Sequence, residues 1–263
     1  MINQWNLRAV EDLVQREFNM GKIYITGDKH GLFSEVIWQV KSGRIKENDI
    51  LIVLGDSGLN YFEDWRDEQL KRKLNKLGIT FLIVRGNHEA RPTGDEVNIE
   101  TSEYKGKFIV EADYPHILYM IDGEEYLLAK ENGKLATALV IGGAYSVDKF
   151  YRLRQQELGH ADYKWFPDEQ LTKEEQDEIY AKIQKCHYDY VLTHTCPYNM
   201  RPTDMFLPSI DQSSVDESME KFLQKVHDSI SFNRWYIGHW HTDRCINCFR
   251  FMFHDIMLLD SCY

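Results

Sequence analysis

Side chains that bind metals recur in this chain directly after apolar, strand-like segments. Five short motifs contain them: Gly27-Asp28-Lys29-His30-Gly31, Gly55-Asp56-Ser57-Gly58, Gly86-Asn87-His88-Glu89, Thr193-His194 and Gly238-His239-Trp240-His241. Four of the motifs follow β-rich runs, and the apolar residues 188–192 precede the remaining one. Carboxylates, an amide and imidazoles at successive strand ends predict one metal centre assembled from distant parts of the chain.

The spacing within the motifs favours shared ligation of the same ion. Asp28 and His30 are two residues apart and can turn toward one ion where the chain leaves a strand, in a bend that Gly27 and Gly31 permit. The His239-x-His241 segment repeats this spacing near the end of the chain. A carboxylate that stands alone after its strand, as Asp56 does, can bridge two ions.

The complete donor set is sufficient for two ions with positions left for water and substrate. Its members are Asp28, His30, Asp56, Asn87, His194, His239 and His241. Mixed imidazole and carboxylate ligands suit Mn, Fe or Zn better than Ca or Mg. Two ions about 3.5–4 Å apart can hold a bridging hydroxide and clamp a phosphoryl group for in-line attack. Each motif alone is most often an ordinary turn, but their joint occurrence after strands predicts a dinuclear centre.

Composition limits the partners of the chain. It has 263 residues, which we expect to form a single domain over 1–263, and a net charge of -11 from 31 basic and 42 acidic residues. This charge argues against long nucleic acids and permits a small phosphorylated substrate, because bound cations reverse the local field. No run approaches the about 20 apolar residues of a membrane span, and the first residues do not resemble a signal peptide. We therefore expect no membrane partner and a cytoplasmic location.

The five cysteines form an odd set without regular spacing, as expected of reduced thiols. Cys245-x-x-Cys248 could be a zinc or redox motif, but no second such pair accompanies it. Packing in a turn after the last motif is the favoured interpretation.

The periodicity predicts alternating strands and helices with the motifs between them. Helices are predicted at 6–18, 32–41, 63–77, 172–185 and about 214–229, and strands at 22–26, 50–54 and 79–84. Segments 125–130 and 134–141 flank Asn132-Gly133 and predict a hairpin, and 249–259 is β-like. Segments 89–115 and 143–170 lack a regular pattern, and we expect them to shape a substrate pocket.

The motifs, in this order, resemble those of the calcineurin-like metallophosphoesterases over residues 22–241. The resemblance implies a four-layer α/β (α+β) fold, a β-sandwich of two mixed sheets flanked by helices. It implies one metal held by Asp28, His30, Asp56 and His241, and a second held by Asp56, Asn87, His194 and His239. It also implies that His88 contacts the phosphate and protonates the leaving oxygen.

Finer features of the motifs resemble more than one branch of that family. The Asp28-x-His30 and Asn87-His88-Glu89 motifs resemble phosphoprotein phosphatases and dinucleoside-polyphosphate hydrolases. That branch continues its second motif with Asp-Arg-Gly, where this chain has Leu59-Asn60-Tyr61. The segments 55–58 and 142–146 are similar to those of bacterial and phage members, whose substrates are mostly unassigned.

Because the branch arginine is missing at position 60, the sequence offers other cations as candidates to bind the phosphate. The candidates lie beside the motifs or in the loop after Gly142-Gly143, and they are Arg85, Arg91, Arg152 and Arg154, with Tyr145 and Tyr151 as residues that could line the pocket.

Three functions follow from the sequence. The leading hypothesis is a phosphomonoesterase that acts on a phosphorylated small molecule, a nucleotide or a phosphoprotein. The alternatives are a phosphodiesterase acting on cyclic or linear nucleotides and a non-catalytic scaffold. The scaffold is disfavoured because scaffolds typically lose ligands, whereas all seven donors and His88 are present.

Overall fold

The structure is a computed structural model, and it describes residues 21–130, 133–206, 208 and 211–261. The helix expected at 6–18, Asn132 of the predicted hairpin turn and Cys262 lie outside these residues. No helix within the described ranges is both long and apolar enough to cross a membrane.

The described ranges contain thirteen strands and five α-helices. The strands are β1 (Ile23–Thr26), β2 (Ile50–Val53), β3 (Thr80–Ile83), β4 (Asp95–Glu100), β5 (Tyr104–Val110), β6 (Ile117–Met120), β7 (Glu125–Ala129), β8 (Leu135–Ile141), β9 (His187–Thr193), β10 (Ser231–Ile237), β11 (Arg244–Ile246), β12 (Phe249–Phe251) and β13 (Met257–Leu258). The helices are α1 (Ser34–Lys41), α2 (Trp65–Asn75), α3 (Lys149–Glu157), α4 (Lys173–Ile183) and α5 (Ser218–Ser229). Short 3₁₀ turns occur at Tyr198–Met200, Thr203–Met205 and Gln212–Ser214.

The strands form one strongly curled, mixed sheet whose two halves face each other. Its order is β11-β12-β10-β9-β8-β7-β5-β6-β3-β2-β1-β13, with β4 paired to β5. The first half contains the parallel strands β1, β2, β3 and β6, and the second contains the parallel strands β8, β9, β10 and β12. The antiparallel pairing of β5 with β7 joins the halves.

Alternation along the strands creates three apolar layers. In β2, Ile50 and Ile52 pack between the two halves of the sheet, whereas Leu51 and Val53 pack under α1 and α2. The opposite half packs its outer face against α4 and α5, where Trp235 is fully buried. The result is the predicted four-layer order of helices, sheet, sheet and helices, because each face of each half must cover its apolar side chains.

Most predicted elements are present with shorter bounds. The hairpin of β7 and β8 is confirmed by its antiparallel pairing. Helix α4 begins after Thr172, whose hydroxyl accepts from the Glu175 backbone while the Glu175 side chain accepts from the Thr172 backbone. This capping box explains why its start was readable in the sequence.

The expectation of an irregular segment at 89–115 was wrong. Strands β4 and β5 occupy it and pair along Asp95–Glu100. The side chains of β4 are exposed or half-buried, and three of its six residues are acidic, so its apolar alternation is weak in the sequence. The expected β-like terminus is two short strands, β12 and β13.

The parallel strands determine where the motifs meet. Strands β1, β2, β3, β9 and β10 each end shortly before one motif. Because parallel strands end at the same edge, the motifs of each half emerge together, and the curl brings the two edges together.

Candidate metal centre

The turns after the strands have unusual backbone conformations. His30, Asp56, His239 and His241 all have positive φ angles, of 45°, 45°, 63° and 46°. Non-glycine residues seldom adopt this left-handed region, which costs of the order of 1–2 kcal/mol per residue. Such strain is typical of functional sites, where packing of the surrounding structure imposes it.

One donor group consists of Asp28, His30 and His241. The His241 Nε2 atom lies 3.2 Å from Asp28 Oδ2 and 3.0 Å from His30 Nε2. His30 Nε2 lies 3.9 Å from the same Asp28 oxygen. These atoms all lie close enough to bind one ion.

A second donor group consists of Asp28, Asp56 and His194, with Asn87 and His239 beside it. Asn87 Oδ1 lies 2.8 Å from His194 Nε2 and 3.0 Å from His239 Nδ1. His239 also donates its backbone N–H to Asp28 Oδ1 at 2.8 Å, which ties the fifth motif to the first.

Asp56 belongs to the second donor group and also approaches the first. Its Oδ2 is 4.0 Å from His30 Nδ1, and its Oδ1 is 3.5 Å from His194 Nε2. The Oδ1 atom also accepts the backbone N–H of His88 at 2.8 Å. Asp28 is the member common to both groups and Asp56 approaches His30 of the first, so two carboxylates are positioned to join the groups.

His194 and Asn87 provide a test of whether this site fits a cation. His194 Nδ1 lies 2.7 Å from the Leu54 carbonyl, which can only accept, so the proton of the neutral ring is on Nδ1. The lone pair of Nε2 then faces Asn87 Oδ1, which is also an acceptor because the Asn87 amide nitrogen donates to Ser146 Oγ at 2.8 Å. Two acceptors 2.8 Å apart repel each other unless a cation binds both.

The surroundings of Asp28 also fit a cation. Its buried Oδ2 atom makes no hydrogen bond of good geometry among the described residues, although His241 Nε2 lies 3.2 Å away. An ionised oxygen without a good hydrogen bond is costly in a protein interior. The donor set and this buried oxygen together fit metal ions.

Buried polar side chains hold the ligands from behind. Glu89 accepts from Ser57 Oγ at 2.6 Å and from the Gly86 backbone at 2.9 Å, so it connects the second and third motifs. Ser146 fixes the amide of Asn87. Neither role was inferred from the sequence, although Glu89 belongs to a motif and Ser146 to the segment 142–146.

Burial favours the neutral form of three of the four imidazoles, whereas the hydrogen bond to Asp28 raises the pKa of His241. Burial lowers the pKa of His194 and of His30, and it lowers the pKa of His239 to about 3. Burial raises the pKa of Asp28, but the imidazoles of His194 and His241 outweigh it, and the pKa falls below its usual range. Neutral imidazoles and an ionised carboxylate are the protonation states that bind metal.

The pKa of Asp56 is raised, in contrast to that of Asp28. Burial raises its pKa well above the usual value, and the negative charges of Asp28 and Glu89 raise it further. Bound cations would invert this balance and favour the ionised carboxylate.

Two cavities meet at the metal centre, each about 630 Å³. The α2 cavity lies along helix α2, and its lining includes Leu32, Tyr61, Phe62, Arg66 and Lys73. The Trp240 cavity includes five of the ligands, and its further lining includes Tyr145, Val147, Met205, Phe206 and Trp240. Both cavities are lined by His30, His88 and Arg152, so these three residues stand at their junction.

Of the predicted substrate residues, Arg152 and Tyr145 line a cavity at the metal centre. Arg85 is buried, donates Nε to Asp122 at 2.8 Å and donates Nη1 to the carbonyls of Asp168 and Glu169. Its guanidinium is therefore committed to the fold and lines neither cavity at the centre.

The other predicted cations and aromatic residues lie outside the centre. Arg91 forms ion pairs with Asp168 and Glu175 at a separate surface depression. Arg154 is exposed and pairs with Glu157, and Tyr151 is exposed and contacts Tyr163. Cys245 and Cys248 are free thiols at the turn between β11 and β12 and belong to neither donor group; Cys248 packs against the core, whereas Cys245 is exposed, contrary to the packing interpretation.

Arg152 is held in place by the segment that departs from the branch pattern. Its Nη1 donates to the Tyr61 hydroxyl at 2.8 Å and to the Lys164 carbonyl at 3.1 Å, and its Nε donates to Asp148 at 2.7 Å. Within the part of the chain that the structure describes, Nη2 has no hydrogen-bond partner. A guanidinium fixed on one side and open on the other is suited to bind an anion.

His88 lies beside this cation. Burial lowers the pKa of His88 to about 2, with the positive charge of Arg152 as the next cause. Its Nδ1 atom is buried without a hydrogen-bond partner among the described residues. His88 is therefore a neutral imidazole whose protonation would depend on a bound anion.

A family model described as calcineurin-like phosphoesterase matches residues 21–243, which includes every motif of the metal centre. No curated protein matches the chain.

Proposed function

The chain belongs to the calcineurin-like phosphoesterase family, a group of metal-dependent phosphoric ester hydrolases, and from this premise we propose that it is a phosphomonoesterase. The observation that carries the proposal is the placement of Arg152 beside His88 at the junction of the two cavities. A monoester has a dianionic terminal phosphoryl group, and a fixed guanidinium in addition to the metal ions matches that charge.

The residues of the site have distinct proposed roles in metal binding and phosphate binding. Asp28, His30, Asp56, Asn87, His194, His239 and His241 would hold two divalent or trivalent ions, with Mn, Fe or Zn as the metals that suit the set. Bound ions would supply a nucleophilic water at neutral pH and neutralise charge on the phosphoryl oxygens. Arg152 binds a non-bridging oxygen and orients the phosphoryl group.

His88 has the role of general acid in this proposal. The water oxygen bonds to phosphorus, the phosphorus–oxygen ester bond breaks, and His88 donates a proton to the leaving oxygen; one proton of the water stays on the phosphate formed and the other restores His88. The products are an alcohol and inorganic phosphate. A phosphate bound beside His88 would raise its pKa and oppose the effects of burial and Arg152, so that the ring can hold the proton it delivers.

Phosphodiester hydrolysis is the second candidate. The two cavities on either side of His88 and Arg152 provide room for both ester substituents of a diester. A diester carries one negative charge, so it depends less on a second cation than a monoester does. Substrates in either case would be phosphorylated small molecules, nucleotides or phosphoproteins.

The test compares 4-nitrophenyl phosphate with bis(4-nitrophenyl) phosphate in wild type, Arg152→Met and Arg154→Met. We expect wild type to prefer the monoester, and Arg152→Met to lose about 10-fold or more in kcat/KM for it, equivalent to about 1.4 kcal/mol of binding to the anion. Arg154 is on the same helix and is exposed, so its variant is the matched control. Preference for the diester with no effect of Arg152→Met would reject the monoesterase and favour the second candidate.

A further inference from the structure

The Trp240 cavity contains a flat apolar surface directly beside the metal ligands. The rings of Phe206 and Trp240 stack at 5.9 Å between centroids with an interplanar angle of 13°. Trp240 stands between the ligands His239 and His241, and its ring contacts the His239 ring edge-on at 5.4 Å. A substrate with its phosphoryl group on the ions therefore has this surface within the same cavity.

This surface, the Phe206–Trp240 platform, is held by neighbouring side chains, of which Arg201 and Glu217 also line the cavity. The Arg201 guanidinium lies 5.8 Å from the Phe206 ring and 3.7 Å from the Tyr198 ring, and it forms an ion pair with Glu217. These contacts keep Phe206 in place although it is only half-buried. A ring held in this manner loses little conformational entropy when it binds a ligand.

The remaining walls are apolar with a few polar groups. Val147 and Met205 are 46% and 39% exposed and form part of the lining. Glu220 is buried on the same wall and accepts from Thr195 Oγ1 at 2.7 Å, so one carboxyl is available to the polar edge of a ligand. The volume of about 630 Å³ is in the range of small-molecule sites, which are mostly apolar with a few oriented polar groups.

We propose that the Trp240 cavity binds a flat aromatic group on the leaving side of the ester, so that the preferred substrates are phosphate monoesters whose alcohol carries an aromatic ring. This inference rests on the proposed function and specifies its substrate class. The aromatic group can come from a nucleobase, as in a nucleoside 5′-monophosphate, or from a simple aryl ring. Stacking on aromatic side chains tolerates either, because both have a π-face.

The experiment compares esters that have similar leaving alcohols but differ in the ring. Adenosine 5′-monophosphate is paired with ribose 5-phosphate, and benzyl phosphate with cyclohexylmethyl phosphate. We expect kcat/KM to be about 10-fold higher for the aromatic member, mainly through KM, because stacking stabilises ground state and transition state alike. Preference in the first pair alone identifies a nucleobase site, and preference in both identifies a general aryl site.

Variants locate the preference within the cavity. Phe206→Leu removes a ring of the platform and should bring the ratio of kcat/KM, aromatic over non-aromatic ester, toward one in both pairs. Phe206→Trp retains a ring and should preserve both ratios. Phe150→Leu is the matched control, since Phe150 is 67% exposed and does not line the cavity. Equilibrium binding of adenosine 5′-monophosphate to the Asp56→Asn protein gives a readout without turnover, and it should weaken about 10-fold on addition of Phe206→Leu.

The outcomes separate this inference from the proposed function. Metal-dependent release of phosphate from ribose 5-phosphate, with equal kcat/KM for adenosine 5′-monophosphate, would reject the aromatic site and leave the monoesterase standing. The aromatic site would also be rejected, and the monoesterase retained, if Phe206→Leu changed kcat/KM equally for both esters of a pair. Absence of phosphate release from every monoester would reject both proposals.

Discussion

At the scale of single residues, the site is defined by acceptors that have no partners other than a cation. His194 is the clearest case, because the Leu54 carbonyl determines its tautomer and Asn87 presents an oxygen to its lone pair. The sequence predicts both as ligands, since each follows a strand. It could not identify Ser146 as the residue that orients Asn87, because that contact joins positions 59 residues apart.

Ser146→Ala should weaken metal binding without loss of the fold. The Asn87 amide would lose the acceptor that holds its oxygen toward the ions, and loss of such outer contacts typically costs 10-fold or more in metal affinity. Competition between the protein and a chelator for Mn²⁺ measures the change. Ser42→Ala is the control, since Ser42 is exposed and bonds only its own helix end; equal affinity in the two variants would contradict the role of Ser146.

His88→Asn should reduce turnover in proportion to the need of the leaving group for a proton. We expect a loss of about 100-fold for an alkyl phosphate, within the usual contribution of general acid catalysis, and a much smaller loss for 4-nitrophenyl phosphate. Metal content should remain near that of wild type, because the His88 ring does not belong to either donor group. Equal losses with both esters would show that His88 is not the acid.

At the scale of elements, the strand-to-motif turns are the parts that position the chemistry. Four ligands have left-handed backbone, and glycines let the turns pack against one another. The sequence predicts that Gly27 and Gly31 permit the first bend. Gly31 has a φ of +77°, but Gly27 is required for a different reason, since a Cβ there would overlap the Met252 carbonyl.

Gly55 and Gly159 provide a matched pair for testing the turns. Both have left-handed backbone, with φ of +88° and +84°. A Cβ at Gly55 would overlap the His194 ring, whereas a Cβ at Gly159 would meet nothing within 4 Å. Gly159→Ala should cost about 1 kcal/mol in the free energy of unfolding, and Gly55→Ala about 3 kcal/mol or more.

Denaturant unfolding of both variants measures these costs, and metal affinity shows whether His194 has moved. Equal destabilisation of the two variants would mean that the turn after β2 has space that the structure does not show.

At the scale of the whole molecule, the curl of the sheet unites ligands from residues 28 to 241. The order of strands and motifs in the sequence was sufficient to predict the layers and the centre, because strand ends are local features. Arg152 was only one of four candidates, since its contact with Tyr61 spans 91 residues and depends on helix α3. The net charge of -11 gave no indication of this local cation.

The most direct test of the account is phosphate release from 4-nitrophenyl phosphate by chelator-treated protein as Mn²⁺ is added back, with Asp56→Asn as the blank. We predict no phosphate release without metal and recovery of release as two equivalents of Mn²⁺ bind per chain. The Asp56→Asn variant should release no phosphate. Release that persists in chelator, or that survives Asp56→Asn, would contradict the assignment of these residues to a dinuclear hydrolytic centre.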